Sequence, residues 1–460
     1  MRTRNIPLRD RLQAMLRANP RMTSSELARQ LGVAAQTVRR LFDESPQQTW
    51  VTVGHTRRAR YALRRALRGN LADLPMYAID AAGSGHPLSS LTLIQPEGTL
   101  LPLDRTPWPV PAESRDGWWD GLPYPVYAVR PQGYLGRQLA HAEHRNLGVS
   151  DDPNGWSDDD ILWVLSRCGA DVTGNIVLGN DAYTLWLSNK VEGSAPLREK
   201  DLAQAYARQA EEAVRAGGGG SSAAGEFPKF TALRELEGAA TPHVLVKFSG
   251  AGGSAAEQRW ADLLVCEHLG LECAARVPGV TAAHSRVLSH DGRAFIEVER
   301  FDRVGQHGRL PLVGLDSLVP AFLGSSSTEW PKLVGSLHEM GLTDAASVTA
   351  VEHLWWFGRL IANTDMHLGN LSFHVDGAFR LAATYDMLPM AYAPLPGGEV
   401  PAREFTPALP LPTQRTAWLA ECVAAIQFWA TAGADTRISK PFRSICRANV
   451  THLQRIADRV

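Results

Sequence analysis

A chain of 460 residues, 44% apolar and 21% charged, is long enough for two to four domains with sizeable cores, and it holds no run of about 18 apolar residues that could span a membrane. Five cysteines without a C-x-x-C pair exclude a complete disulfide framework, so buried thiols in a soluble protein of the reducing cytoplasm are expected. The net charge of −1 hides an asymmetry: residues 1–70 hold fifteen Arg, no Lys and four acids, so that head is +11 and the remaining 390 residues are −12, which predicts a polyanion partner for the head alone.

From Leu8 to about Phe42 the pattern predicts three short helices. Leu8, Leu12, Met15 and Leu16 fall at helical spacing ahead of Pro20. Thr23-Ser24-Ser25-Glu26 is a capping-box signature for a second helix through Leu31, Gly32-Val33 makes the turn, and Ala34 to Leu41 forms the third. That order reads as a helix-turn-helix that presents Gln36, Thr37, Arg39 and Arg40 to the major groove of double-stranded DNA. Trp50–Val53 and Tyr61–Leu63 then pair as a wing around a basic tip, so that Arg57, Arg58, Arg60, Arg64, Arg65 and Arg68 are available for phosphates. The plainer alternative is a basic surface that docks on the acidic body. A helix-turn-helix often works as a dimer on half-sites, so a homodimer is compatible with the head.

Residues 73–215 read as a structural subdomain. Short apolar strands are expected in "SLTLIQPEGTLLPL" and "PYPVYAVRPQGYL", followed by a helix over Asp158–Cys168 with Ser157 as its N-cap. Trp118-Trp119 is expected to pack in a core rather than serve as a ligand platform.

Residues 216–460 carry the chemistry. Phosphoryl transfer needs amides over the phosphates, a Lys on a strand, a carboxylate to accept the substrate proton, and oxygen ligands for magnesium. The run from Gly217 to Gly225 could cradle phosphates, with a flexible linker as the alternative. "PHVLVKFS" predicts a strand with Lys247 near its end, where a phosphate-binding ammonium or an edge-strand surface lysine would sit. In "LIANTDMHLGNLSF", Asp365 and Asn370 have the D-x-x-x-x-N interval by which protein kinases hold a catalytic Asp and a magnesium-binding Asn in one loop. Asp376-Gly377 then turns a hairpin that returns Asp386 beside that loop as a second metal ligand. His367 is expected to orient the loop, because no zinc-like spacing surrounds it. The bland alternative for Asp365, Asn370 and Asp386 is a set of turn formers.

The segments "SSAAGEFPKFTAL", "HVLVKF", "EVERFDR", "NTDMHLGN" and "TYDMLP", in this order, resemble the HipA family of bacterial serine/threonine kinases, toxins of toxin–antitoxin pairs. The likeness covers about residues 216–455 and extends weakly over 77–215. It implies an α+β, protein-kinase-like HipA fold, with a mixed β subdomain and a mainly helical C-terminal lobe, here preceded by a winged helix-turn-helix over 1–72. It further implies ATP and Mg2+ as cofactors. Gly225 and Lys247 would meet the ATP phosphates, Glu299 and Phe301 the adenine hinge, Asp365 the substrate proton, and Asn370 and Asp386 the magnesium. Ser222, with Ser221 beside it, occupies the position whose autophosphorylation silences family members, and aminoacyl-tRNA synthetases are the implied class of protein substrate. Two features depart from the family pattern: Phe227 stands where its G-x-Q-x-K loop has Gln, and the DNA-binding module is fused to the kinase, which could restrain the toxin in cis. Two other readings use the same residues: a transcriptional regulator whose body senses nucleotide, and a metal-dependent nuclease.

Overall fold

The computed structural model describes residues 6–46, 49–193, 195–216, 227–235 and 240–460. The head comprises α1 (Ile6–Ala18), β1 (Met22–Thr23), α2 (Ser24–Leu31), α3 (Ala35–Asp43), β2 (Trp50–Val53) and β3 (Arg60–Leu63). Its predicted cap is present: the Glu26 amide donates to the Thr23 hydroxyl at 3.2 Å and the Thr23 amide to the Glu26 carboxylate at 2.7 Å. Gly32 turns the chain at φ +69°, a left-handed conformation that favours glycine. Leu12, Leu16, Leu27, Val38 and Leu41 close a small core against Trp50, and β3 pairs with both β1 and β2. Gln36, Arg39 and Arg40 lie exposed on α3 with Thr37 half-buried beside them, and Arg58 is exposed between the two hairpin strands. The side chain of Arg57 lies outside the described residues.

The middle region adds β4 (Leu74–Ile79), β5 (Gly85–Leu93), β6 (Thr99–Leu100), β7 (Trp118–Trp119), α4 (Tyr124–Tyr127), α5 (Gly133–Leu147), α6 (Asp158–Cys168), β8 (Ile176–Leu178) and α7 (Asn180–Glu192). The strands form one antiparallel sheet in the order β7-β6-β5-β4-β8. Trp118 and Trp119 are buried in it, which removes the platform reading. The helix over Asp158–Cys168 starts on Ser157 as expected. The stretch expected to supply strands around Pro123–Leu135 is instead α4 and the start of α5. Proline lacks the amide a ladder needs, and its fixed φ suits a first helical turn, so Pro123 and Pro125 favour the helix.

The head is fused to this sheet. The Gln95 amide donates to the Leu63 carbonyl and the Arg65 amide to the Leu93 carbonyl, both at 2.9 Å. Val51 and Ala62 from the head pack with Ile94, Leu100 and Trp118. Arg64, Arg65 and Arg68, expected to meet phosphates, instead pair with Asp73, Asp159 and Asp160. The reason is proximity: Asp73 follows the last arginines of the head in sequence, and the fold brings the first turn of α6, with Asp159 and Asp160, within their reach. Part-exposed pairs of this kind contribute roughly 0.2–1 kcal/mol each. A large apolar side chain removed from water contributes about 1.5–3 kcal/mol. The apolar seam therefore holds the head, and the arginines fix its orientation.

The rest of the chain contains α8 (Leu202–Ala216), β9 (Lys229–Leu233), β10 (His243–Phe248), α9 (Ala255–Ala274), β11 (Ser285–His290), β12 (Arg293–Glu299), the hairpin β13 (Arg303–Val304) and β14 (Gly308–Arg309), β15 (Leu312–Gly314), α10 (Leu315–Leu318), α11 (Trp330–Glu339), α12 (Ala345–Leu360), β16 (Ser372–Val375), β17 (Phe379–Leu381), α13 (Arg415–Ala434) and α14 (Lys440–Ala457). A four-stranded sheet runs β11-β12-β10-β9. Val244, Val246 and Phe248 of β10 pack on Leu202 and Tyr206 of α8, and the alternate residues, Lys247 among them, face α9. The helices from α11 to α14 make a lobe around Phe357, Trp418, Phe428 and Trp429. The architecture is α+β. All five cysteines are free, and Cys266, Cys273, Cys422 and Cys446 are buried. Among the described residues no helix is long and apolar enough to cross a membrane.

Asp302 joins the middle region to the four-stranded sheet. Its carboxylate accepts from Arg303 at 2.6 Å, from Arg300 at 3.1 Å and from the Gly174 amide at 2.8 Å. Burial pushes this carboxyl up, but the guanidiniums of Arg300 and Arg303 override it and hold the group at about 2. A depressed carboxylate stabilises the fold above its unfolded value, about 3.9, and the contribution is lost as pH falls through the folded value. Urea midpoints measured from pH 5 to pH 2.5 are expected to fall more steeply in the natural protein than in Asp302→Asn. Parallel curves would contradict this assignment.

Candidate active site

Lys247 is the next-to-last residue of β10, on a central strand rather than an edge, and is only 3% exposed. Its Nζ donates to both oxygens of Glu267, at 2.7 and 2.9 Å, and to Asp386. Burial alone would pull the lysine down, but the two carboxylates override it and hold it above its usual range. Burial likewise pushes Asp386 up, and the Lys247 ammonium overrides that, so Asp386 stays ionised below the ordinary carboxylate range. For Glu267 burial prevails over the opposing pull of Lys247, and its carboxyl lies above the ordinary range.

Glu267 was not marked in the sequence. It lies on α9, which Ser254 and Glu257 open with a capping box. The helix comes close enough to the Asp386 segment because residue 270 is glycine: a Cβ there would collide with the Met387 carbonyl. The available signal was an acid inside the apolar run Leu263–Leu271, on a helix otherwise buried along that stretch.

Asp365 and Asn370 occupy the loop after α12. Asn370 is buried and its Nδ2 donates to the Asp365 carbonyl at 2.8 Å, while the Asp365 side chain is exposed. His367 Nδ1 accepts from the Gly369 amide at 3.0 Å, which bends the loop as expected of an orienting residue. His367 belongs to no cluster of three or more His, Cys, Asp or Glu among the described residues. The hairpin β16–β17 returns the chain as predicted, with Gly377 at φ +70° in its turn. Tyr385 then donates to the Gly369 carbonyl at 2.6 Å, so the residue before Asp386 is bonded to the residue before Asn370.

A second residue missed in the sequence is Asn363. Its Oδ1 accepts from the Asp365 amide and its Nδ2 donates to the Asp386 carbonyl, both at 3.0 Å. One buried amide thus spaces the two acids. The backbone around it is strained: Ala362 has φ +60° and Asp386 φ +55°. Conformations of that kind cost about 1–3 kcal/mol and persist where surrounding bonds override them.

The donor set suits a hard divalent ion. Asn370 uses its amide nitrogen to hold the loop, which leaves its oxygen for a ligand, and Asp386 supplies an ionised carboxylate. Phe301 stacks on Tyr385, the residue before Asp386, with ring centroids 5.6 Å apart. The Glu299 carboxylate is taken by Arg234 at 3.2 Å. Phe227, the departure from the family loop, packs edge-on against Trp260 at 4.5 Å in the core. Gly225, Ser221 and Ser222 lie outside the described residues.

The chain matches two protein-family models. Residues 70–187 match the family described as "YjjJ-like toxin, middle domain", and residues 221–454 match "HipA-like C-terminal domain". The chain is 35% identical to Toxin YjjJ of Escherichia coli (strain K12) over 451 residues, 98% of each protein. It is similar in structure to Shewanella oneidensis MR-1 HipA, solved with HipB and operator DNA, with a TM-score of 0.51 at 16% identity over 84% of this chain and 97% of that one.

Removing one member of a buried ion pair strands the other charge, at a cost of about 3–5 kcal/mol. Glu267→Ala is expected to lower the free energy of unfolding by about that amount in urea denaturation. A loss under about 1 kcal/mol would mean that Asp386 alone suffices to hold Lys247.

Proposed function

The chain belongs to the HipA family of toxins, and from that premise we propose that it is an ATP- and magnesium-dependent serine/threonine protein kinase, acting on a cytosolic protein and on Ser222 or Ser221 of its own glycine-rich loop. The observation that carries the reading is the buried trio of Lys247, Glu267 and Asp386, tied through Asn363 to the Asp365 loop. A metal-dependent nuclease would have no use for that lysine.

Phosphoryl transfer depends chiefly on positioning and charge neutralisation. Glu267 holds the Lys247 ammonium toward the cleft, where nucleotide phosphates would replace Asp386 as its second partner. Asp386 and Asn370 are the residues that would then hold magnesium, an ion that offsets phosphate charge when bound. Asp365, exposed and fixed at both its amide and its carbonyl, accepts the proton of a seryl or threonyl hydroxyl as that oxygen attacks the γ-phosphorus and ADP leaves. Phe301 and Tyr385 offer an aromatic surface at the adenine end. Incubation of the full chain with labelled ATP and magnesium is expected to label the protein, with a rate reduced about 10²–10⁴-fold in Asp365→Ala. Equal labelling would remove Asp365 from its role.

The reading includes double-stranded DNA as the partner of the head. In the Shewanella oneidensis structure HipA is accompanied by HipB and operator DNA. Here the chain carries its own exposed helix with Gln36, Arg39 and Arg40. Mobility shifts with the full chain are expected to weaken with salt, and Arg39→Ala with Arg40→Ala should reduce the slope by about two. Salt-sensitive DNA binding without any labelling by ATP would favour a regulator whose body senses nucleotide.

A further inference from the structure

Between α7 and the β13–β14 hairpin lies a cavity of about 500 Å³. Its wall includes Asp171, Lys190, Arg300, Arg303 and Arg309, and none of Lys247, Asp365, Asn370 or Asp386. The charges there do not cancel. Arg300 bonds Asp171 at 3.0 Å and Asp302 at 3.1 Å, and Arg303 bonds the same two carboxylates at 2.7 and 2.6 Å. Two guanidiniums and two carboxylates close a neutral ring.

Arg309 is left over. It is 5% exposed, its Nη2 donates to the Ala170 carbonyl at 2.6 Å, and the carboxylate oxygen of Asp171 stands 4.0 Å away. Its Nη1 is buried without an acceptor among the described residues. An unpaired donor on a buried charge is costly, and native structures rarely leave one without water or a ligand. Burial and the neighbouring Arg303 pull this guanidinium down to about 9 against the opposing pull of Asp171 and Asp302, so the acids nearby offset its charge only in part. Lys190 brings a second cation to the wall, its Nζ resting on the Gly83 carbonyl at 2.6 Å. The acids on the wall are Asp171, engaged in the ring, and Glu192, which is exposed.

We infer that this cavity is an anion-binding site, in which an oxyanion group such as phosphate is held by Arg309 with support from Lys190. The cavity is larger than inorganic phosphate, which leaves room for a small phosphorylated molecule. A ligand there would brace the turn at Asp171 in the middle region against the Arg300–Arg303 segment that carries Phe301. The inference stands apart from the kinase reading, since neither Arg309 nor Lys190 belongs to that site.

Isothermal titration calorimetry on the full chain, with inorganic phosphate and with ribose 5-phosphate, tests it. Saturable binding is expected for at least one probe, weakened about tenfold or more in Arg309→Met and unchanged when a saturating non-hydrolysable ATP analogue with magnesium is present. Tighter binding of ribose 5-phosphate would identify a phosphorylated molecule as the ligand, and tighter binding of phosphate the free ion. Three results would overturn the inference: no saturation by millimolar probe, equal binding in Arg309→Met, or loss of binding in the presence of the ATP analogue, which would assign the anion to the nucleotide cleft. Should Arg309→Met fail to fold, crystals of the natural protein soaked in selenate are expected to show an anomalous peak beside Arg309 Nη1, and a peak only elsewhere would count against it.

Discussion

An ammonium can be kept in a protein interior only if carboxylates surround it, and Lys247 is held by two. Much of the C-terminal half answers to that constraint. The lysine needs a central strand so that water is excluded on both sides. Glu267 needs a helix that crosses the open face of the same sheet, and that helix needs glycine at 270 to approach the Asp386 segment. The second carboxylate is supplied from the hairpin that follows the Asp365 loop, and Tyr385 fastens the hairpin to that loop. Two carboxylates around a buried ammonium, with Lys229 on the neighbouring strand, are poised for a cationic ligand that would take Asp386 and for an anionic one that would take Lys247.

What was legible in the sequence is what neighbours in sequence determine. Asp365 and Asn370 share one loop and Asp386 follows a Gly-turned hairpin, so their proximity could be argued from spacing. Thr23 and Ser157 announce their helices because capping is a three-residue affair. Glu267 and Asn363 act through partners 20 and 23 residues away on other elements, and nothing local marks them except an acid in an apolar helix and one more polar residue in a loop. Arg64, Arg65 and Arg68 show the same limit for charge: a count predicts a basic surface, and only the fold reveals which guanidiniums already have acids. Pro123 and Pro125 misled in a different way, since an apolar run broken by proline satisfies both an edge strand and a first helical turn.

The molecule treats buried charge in two ways. Around Lys247 two acids are balanced by the buried ammonium and by Lys229, its neighbour on β9, whereas around Arg309 the bases outnumber the acids by one. Both clusters lie at the four-stranded sheet, one on the face toward α9 and the other where the sheet meets the middle region. Buried ions of this kind contribute little to net stability compared with an apolar core, so their value lies in what they can bind.

The join between Leu63 and Gln95 has a mechanical consequence. Ordinarily a catalytic unit attached to a DNA-binding unit by a flexible linker sweeps a volume and meets whatever lies within it. Here the head is hydrogen-bonded to the sheet of the middle region, and an apolar seam backs the bonds. A head seated in a groove would therefore fix the direction in which the cleft opens, and that direction would turn with the helical phase of the site. Proteins bound to the same duplex would be reached or missed according to their rotational position, as gears mesh only at certain teeth.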